Sequence, residues 1–131
     1  MYFQPLTLSE AVRDAQNNGV QVLAGGTDFY PSHGDVLPDF PILDISRVPE
    51  ISGIERTETG WRIGAMTSWT DVIKADLPPA FDGLKAAARE VGSLQIQNLG
   101  TVAGNLCNAS PAADGVPPLL TLDAEIEIIG L

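Results

Sequence analysis

Cysteine is nearly absent from this sequence, with Cys107 alone among 131 residues. A single thiol excludes a disulfide within the chain, and it excludes an iron–sulfur cluster held by this chain's own cysteines. Histidine is just as scarce: His33 stands alone, so no closed zinc set can be assembled and no metal site is expected. Basic residues are also few, 7 Lys+Arg against 17 Asp+Glu, for a formal net charge of −10 at pH 7. They are scattered from Arg13 to Arg89 without a cluster, which removes nucleic acid and anionic membranes from the expected partners. No apolar run approaches the length of a bilayer span, and the first residues carry neither the basic head nor the hydrophobic stretch of a secretory signal. The expectation is a cytoplasmic protein without membrane insertion. Repeats and low-complexity segments are also missing.

What is present is a chain of one-domain length, long enough to bury roughly two-thirds of its unfolded surface. Thr7-Leu8-Ser9-Glu10 has capping-box spacing, and Leu8, Ala11, Val12 and Ala15 recur at helical intervals until Asn17-Asn18-Gly19. Val20 to Ala24 reads as a strand, as does Ile42 to Ile45. Ser46 to Glu50 reads as a turn or a short 3₁₀ piece. Ile54–Glu58 and Trp61–Ala65 around Thr59-Gly60 read as a β-hairpin with Trp61 and Ile63 on one face. Thr67 is positioned to cap a helix running to about Lys74, and Leu84, Ala87, Ala88 and Val91 mark another, ended near Gly92. Pro117 to Leu122 reads as a short buried helix, and Glu125 to Ile128 alternates as a strand. The class is mixed α and β in two lobes, residues 1–50 and 51–131. The final strand has no turn and partner after it, so the second lobe is expected to be incomplete.

Two glycine segments carry the chemistry. Ala24-Gly25-Gly26-Thr27-Asp28-Phe29 follows a strand directly, and strands that deliver a glycine turn leave main-chain donors aimed at one spot. Gly100 to Asp114 combines two glycines, small polar side chains, a proline and an acid with neither helical nor strand periodicity. Two readings fit each segment: a close-approach site for a phosphate or sugar, or ordinary turn and loop structure. The G-x-G-x-x-G dinucleotide fingerprint is absent. Because the net charge repels anions, a bound phosphate would rest on backbone dipoles rather than on a basic patch. A ligand gripped from both lobes would need the length and diphosphate of a dinucleotide.

Together, Ala24-Gly25-Gly26-Thr27-Asp28, Leu43-Asp44-Ile45-Ser46 with Pro49-Glu50-Ile51, Gln97-Asn98-Leu99-Gly100-Thr101-Val102-Ala103-Gly104-Asn105 and Asn108-Ala109-Ser110-Pro111-Ala112-Ala113-Asp114 resemble the medium, FAD-binding subunit of the molybdenum hydroxylases. That family includes carbon monoxide dehydrogenase and xanthine dehydrogenase. The resemblance runs from Phe3 to the end. It implies the two-lobed FAD-binding fold of the p-cresol methylhydroxylase type, with FAD as cofactor. Ala24, Gly25, Gly26, Thr27, Asp28 and Phe29 would form the first diphosphate loop, and Thr101, Val102, Ala103, Gly104 and Asn105 the second. Ser110 and Asp114 complete the implied site. A carboxylate beside a diphosphate is repulsive, so Asp114 is assigned to sugar hydroxyls and Asp28 to bracing its own loop. Ala103 stands where many relatives have glycine.

The family role is electron relay: electrons from a molybdenum-containing large subunit cross a 2Fe–2S small subunit, and the FAD passes them to an external acceptor such as NAD, quinone or oxygen. No residue of this chain is then required as a catalytic acid or base. Some proteins of this fold tether FAD to Cys or His, but Cys107 is read as a small buried side chain and His33 as solvated, so non-covalent binding is expected. Trp61 and Trp69 are read as core. Two alternatives stand beside this one. A stand-alone FAD reductase would need a substrate domain and catalytic groups that the sequence does not display. A non-redox scaffold would not need both glycine segments.

Overall fold

The computed structural model describes residues 1–27, 39–108 and 113–130. The first structural unit is a parallel three-stranded sheet in the order β1-β3-β2, built from β1 (Tyr2–Phe3), β2 (Gln21–Leu23) and β3 (Ile42–Asp44). Helix α1 (Leu8–Asp14) makes the crossover from β1 to β2, as parallel pairing requires. It starts where the sequence places it: Thr7 Oγ1 accepts from the Glu10 N–H at 3.2 Å. The Glu10 carboxylate reaches past the cap residue to the Leu6 N–H at 2.9 Å, so the reciprocal half of the box is shifted by one residue. Ala11, Leu23, Leu43 and Val48 are buried. A 3₁₀ turn at Pro49–Ile51 follows, overlapping the stretch Ser46 to Glu50 read as a turn and ending one residue beyond it.

The second unit contains the antiparallel hairpin β4 (Ile54–Arg56) and β5 (Trp61–Ile63), in the register Ile54↔Ile63 and Arg56↔Trp61. Its inward face packs Ile54, Trp61 and Ile63 on a core of Trp69, Val72, Phe81, Leu84, Ala88 and Val102. Trp61 meets Phe81 edge-on with ring centroids 5.8 Å apart, a favoured aromatic geometry. Both tryptophans are thus packed into the core, as expected.

The helices here are α2 (Trp69–Lys74), α3 (Asp82–Glu90), α4 (Leu94–Leu99), α5 (Val102–Asn108) and α6 (Val116–Thr121). Four expectations need correction. Ser68, not Thr67, caps α2: its hydroxyl accepts from the Asp71 N–H at 3.0 Å and Asp71 returns the bond to the Ser68 N–H at 3.2 Å. Thr67 is fully buried and donates to the Gly53 carbonyl at 3.0 Å. The stretch read as aperiodic holds α5, a helix with Val102 as its one buried residue. Helix α6 is less buried than expected, with Pro118 inside and Leu120 exposed. Glu125 to Ile128 is not a strand: Ile126 and Ile128 are 74% and 90% exposed, and Glu127 only reaches Arg62 through a 3.2 Å ion pair. Alternation without a neighbouring strand has nothing to pair with.

Helix α4 was not anticipated. Ser93 caps it by accepting from the Ile96 N–H at 3.3 Å, but its polarity is inverted: Leu94 and Leu99 are exposed while Gln97 is buried. The Gln97 amide donates to the Arg89 carbonyl at 2.9 Å and ties α4 to the end of α3. No described helix is long and apolar enough to cross a membrane.

Candidate functional site

Ligands of parallel sheets sit beyond the carboxyl ends of the strands, and β2 ends at Leu23, just before Ala24 and the Gly25-Gly26 pair. Gly26 has φ +80°, in the left-handed region that side chains rarely enter. At Gly25 a Cβ would fall on the Leu99 carbonyl oxygen and lie 3.2 Å from Gly100 Cα. At Gly100 a Cβ would lie 2.9 Å from the Ile96 carbonyl oxygen and 3.7 Å from Thr27 Oγ1. The two glycine segments therefore meet, main chain against main chain at Gly25 and with the Thr27 hydroxyl facing Gly100.

The second segment is held from beneath. Ser68 and Thr101 form an antiparallel bridge, in which the Trp69 N–H donates to the Gly100 carbonyl at 3.2 Å and the Val102 N–H to the Thr67 carbonyl at 3.0 Å. Thr101 is buried and acts as the cap of α5: its Oγ1 accepts from the Gly104 N–H at 3.0 Å and its carbonyl from the Asn105 N–H at 3.1 Å. Three first-turn donors, those of Val102, Gly104 and Asn105, are thus consumed within the protein. The N–H groups of Gly25, Gly26, Thr27, Thr101 and Ala103 donate to no atom among the described residues. Main-chain donors left over by the secondary structure are the kind of group that an anion can use.

Asn105 Oδ1 accepts from the Gly115 N–H at 3.2 Å, which brings the turn carrying Asp114 to α5. Asp114 itself is exposed. Ala24 to Thr27 and Ala103 to Asn105 are half-buried, and Val102 is buried. Asp28, Phe29, Ser110 and His33 lie outside the described residues. Cys107 corrects an expectation: it is exposed rather than buried.

Behind the first loop, Asp44 pairs in register with Leu23 and is 7% exposed. Burial pushes its carboxyl pKa up, but hydrogen bonds from Ser46, Tyr2 and Gln4 outweigh this and hold it below the ordinary value. Its oxygens are occupied by those partners, so it ties the end of the central strand to β1 and to the turn at Ser46. None of the seven basic residues lies in either glycine segment. Sequence reasoning took Trp69 for core alone, yet its main chain holds Gly100 and its ring lies under Gly100 and Gly115. The Ser68-x-x-Asp71 box, one residue beyond Thr67, was the available signal for that anchor.

The family model for the FAD binding domain in molybdopterin dehydrogenase matches residues 1–131. The chain is 36% identical over 133 residues to a xanthine dehydrogenase FAD-binding subunit of Escherichia coli O157:H7, covering 97% of this chain and 45% of that protein. It is 36% identical over 131 residues to a nicotinate dehydrogenase FAD-subunit of Eubacterium barkeri, covering 95% and 44%. In structure it is similar to carbon monoxide dehydrogenase of Hydrogenophaga pseudoflava, with TM-score 0.71 and 29% identity over 84% of this chain and 40% of that one. The chain thus spans less than half the length of the relatives it matches. The chain belongs to the family of FAD-binding domains of the molybdopterin dehydrogenases.

Proposed function

We propose that this domain holds FAD non-covalently between the two glycine segments, in a subunit that receives electrons from 2Fe–2S clusters on a partner and delivers them to an external acceptor. A molybdenum-containing large subunit would be the source of those electrons, and the complex would work in the cytoplasm. The observation that carries this reading is the meeting of Gly25 with Leu99 and Gly100. With no side chain at Gly25, the first segment lies directly against Leu99 and Gly100, the residues that lead into 101 to 105. In this reading residues 1–50 and 51–131 are the two lobes, and the seam between them is the flavin cleft.

The residues fit a diphosphate. The N–H groups of Gly25, Gly26, Thr27, Thr101 and Ala103 would donate to its oxygens. Hydrogen bonds to a charged acceptor contribute roughly 1.5–3 kcal/mol each, so a few suffice where no cation helps. Asp28 and Phe29, the next residues in the sequence, would belong to the same site. Asp114 and Ser110 would serve the sugar end, away from the like charge of the phosphates. Bound there, the flavin supplies the redox chemistry, while this chain binds and orients it. An exposed Cys107 makes a covalent tether the specific competitor. Titrating FAD into the flavin-free whole protein tests the binding, and acid precipitation tests the attachment. Flavin released to the supernatant is expected; colour retained in the pellet would overturn non-covalent binding, and absence of binding would overturn the site. Copurification with molybdenum and iron–sulfur subunits tests the relay against a stand-alone reductase.

A further inference from the structure

We infer that Asn105 is a positioning residue, which holds Asp114 in place through Gly115 instead of touching the flavin diphosphate. The inference rests on the flavin reading above for the role of Asp114, and on this structure for the role of Asn105. The Asn105 side-chain oxygen is already engaged, accepting from the Gly115 N–H at 3.2 Å. Gly115 is wedged: a Cβ there would lie 2.7 Å from Trp69 Cη2 and 2.9 Å from Asn105 Oδ1. Trp69, 1% exposed and locked in the core, cannot yield to it. The turn is thus gripped by a rigid ring beneath and a carboxamide at its side, and Asp114 is the exposed residue that this grip presents.

The geometry joins both parts of the second segment. Asn105 is anchored through its own N–H to the Thr101 carbonyl at 3.1 Å, and Thr101 is fixed to Ser68 by the β-bridge. The donors at Thr101 and Ala103 and the carboxylate at Asp114 are thereby set at one spacing by a chain of hydrogen bonds that needs no ligand. Removing the Asn105 side chain would leave every main-chain donor of the segment in place and release only the turn.

Two measurements on the whole protein decide this. In flavin-free protein, amide hydrogen exchange at Gly115 is expected to be slow, to quicken on the order of tenfold in Asn105→Ala, as the loss of one net hydrogen bond implies, and to stay slow in Asn105→Asp, which keeps the accepting oxygen. Exchange equally fast in the original protein and in Asn105→Ala overturns the inference, whether or not FAD binds. The second measurement is a cycle on FAD affinity. Asn105→Ala is expected to weaken binding roughly five- to tenfold in the original background and less than twofold in the Asp114→Ala background. Equal losses in both backgrounds would mean that Asn105 touches the flavin directly. Failure of the original protein to bind FAD would sink the flavin reading, while the exchange measurement still decides what Asn105 holds.

Discussion

A methyl group at Gly25 has no place to go, because the Leu99 carbonyl oxygen already stands there. Gly25→Ala must push the two glycine segments apart, and it is expected to lower FAD affinity by more than tenfold and to reduce the melting temperature. Gly60→Ala, in a hairpin turn with nothing within 4 Å of the new atom, is the matched control and is expected to stay within about 0.5 kcal/mol of the original stability. Calorimetry and flavin titration on the two variants check the contrast; equal behaviour would contradict the close approach. Asp44 offers a second test at this scale. Its folded pKa lies below the ordinary carboxylate value, so its stabilisation is complete above the unfolded pKa of about 3.9 and disappears as pH falls through the folded value. The melting-temperature gap between the original protein and Asp44→Asn should therefore be constant near neutrality and shrink below about pH 4. A gap that is independent of pH down to acid unfolding would contradict the brace assigned to this carboxylate.

At the scale of elements, α2 matters to the site through its first turn, where Ser68 and Trp69 hold the strand-like pair Gly100-Thr101. Ser68→Ala removes the cap and is expected to cost about 1 kcal/mol. Thr67 is fully buried, so Thr67→Ala removes a packed methyl group together with the hydroxyl bonded to the Gly53 carbonyl, and is expected to cost about 1–3 kcal/mol. Thermal or urea unfolding checks both, and a larger loss from Ser68 would reverse the roles assigned here. These two neighbours also show what could be read in the residues. Helices α1 and α3 and the β4–β5 hairpin announce themselves because burial follows period: Ala11, or Leu84 and Ala88, face inward at helical spacing. Helix α4 does not, since its leucines point outward and a glutamine supplies the anchor. Helix α5 has a single buried residue and is fixed by Thr101 and Asn105 instead of by an apolar face. The glycine segments were legible by type; that they touch depends on a Leu99 carbonyl, and main-chain atoms leave no mark in a sequence. Glu125 to Ile128 carries the right alternation, yet pairing requires a second strand that periodicity cannot supply.

At the scale of the whole molecule, acidity and exposed apolar surface pull in opposite directions. A net charge of −10 keeps copies apart at low ionic strength, while Leu94, Leu99, Leu120, Ile126 and Ile128 stand open to solvent. Residues 1–131 in isolation are expected to stay monomeric in dilute buffer and to self-associate as salt screens the charge over about 8–10 Å. Sedimentation at two salt concentrations measures this, and a monomer under both conditions would contradict it. Stoichiometric iron or zinc in the isolated chain would contradict the expectation that no metal resides here. The seam at Gly25 bears on how the molecule unfolds. Because main chain meets main chain there, no rotamer can adjust to keep the contact as one side loosens, and the parallel sheet and the helical core should lose it all at once. Without flavin, calorimetry should then resolve two weakly linked transitions. With flavin at 100 times its dissociation constant, binding adds about 2.7 kcal/mol to the joined state alone, and the two should merge into a single sharper peak. The width of that peak, more than its position, is what a missing side chain at Gly25 controls.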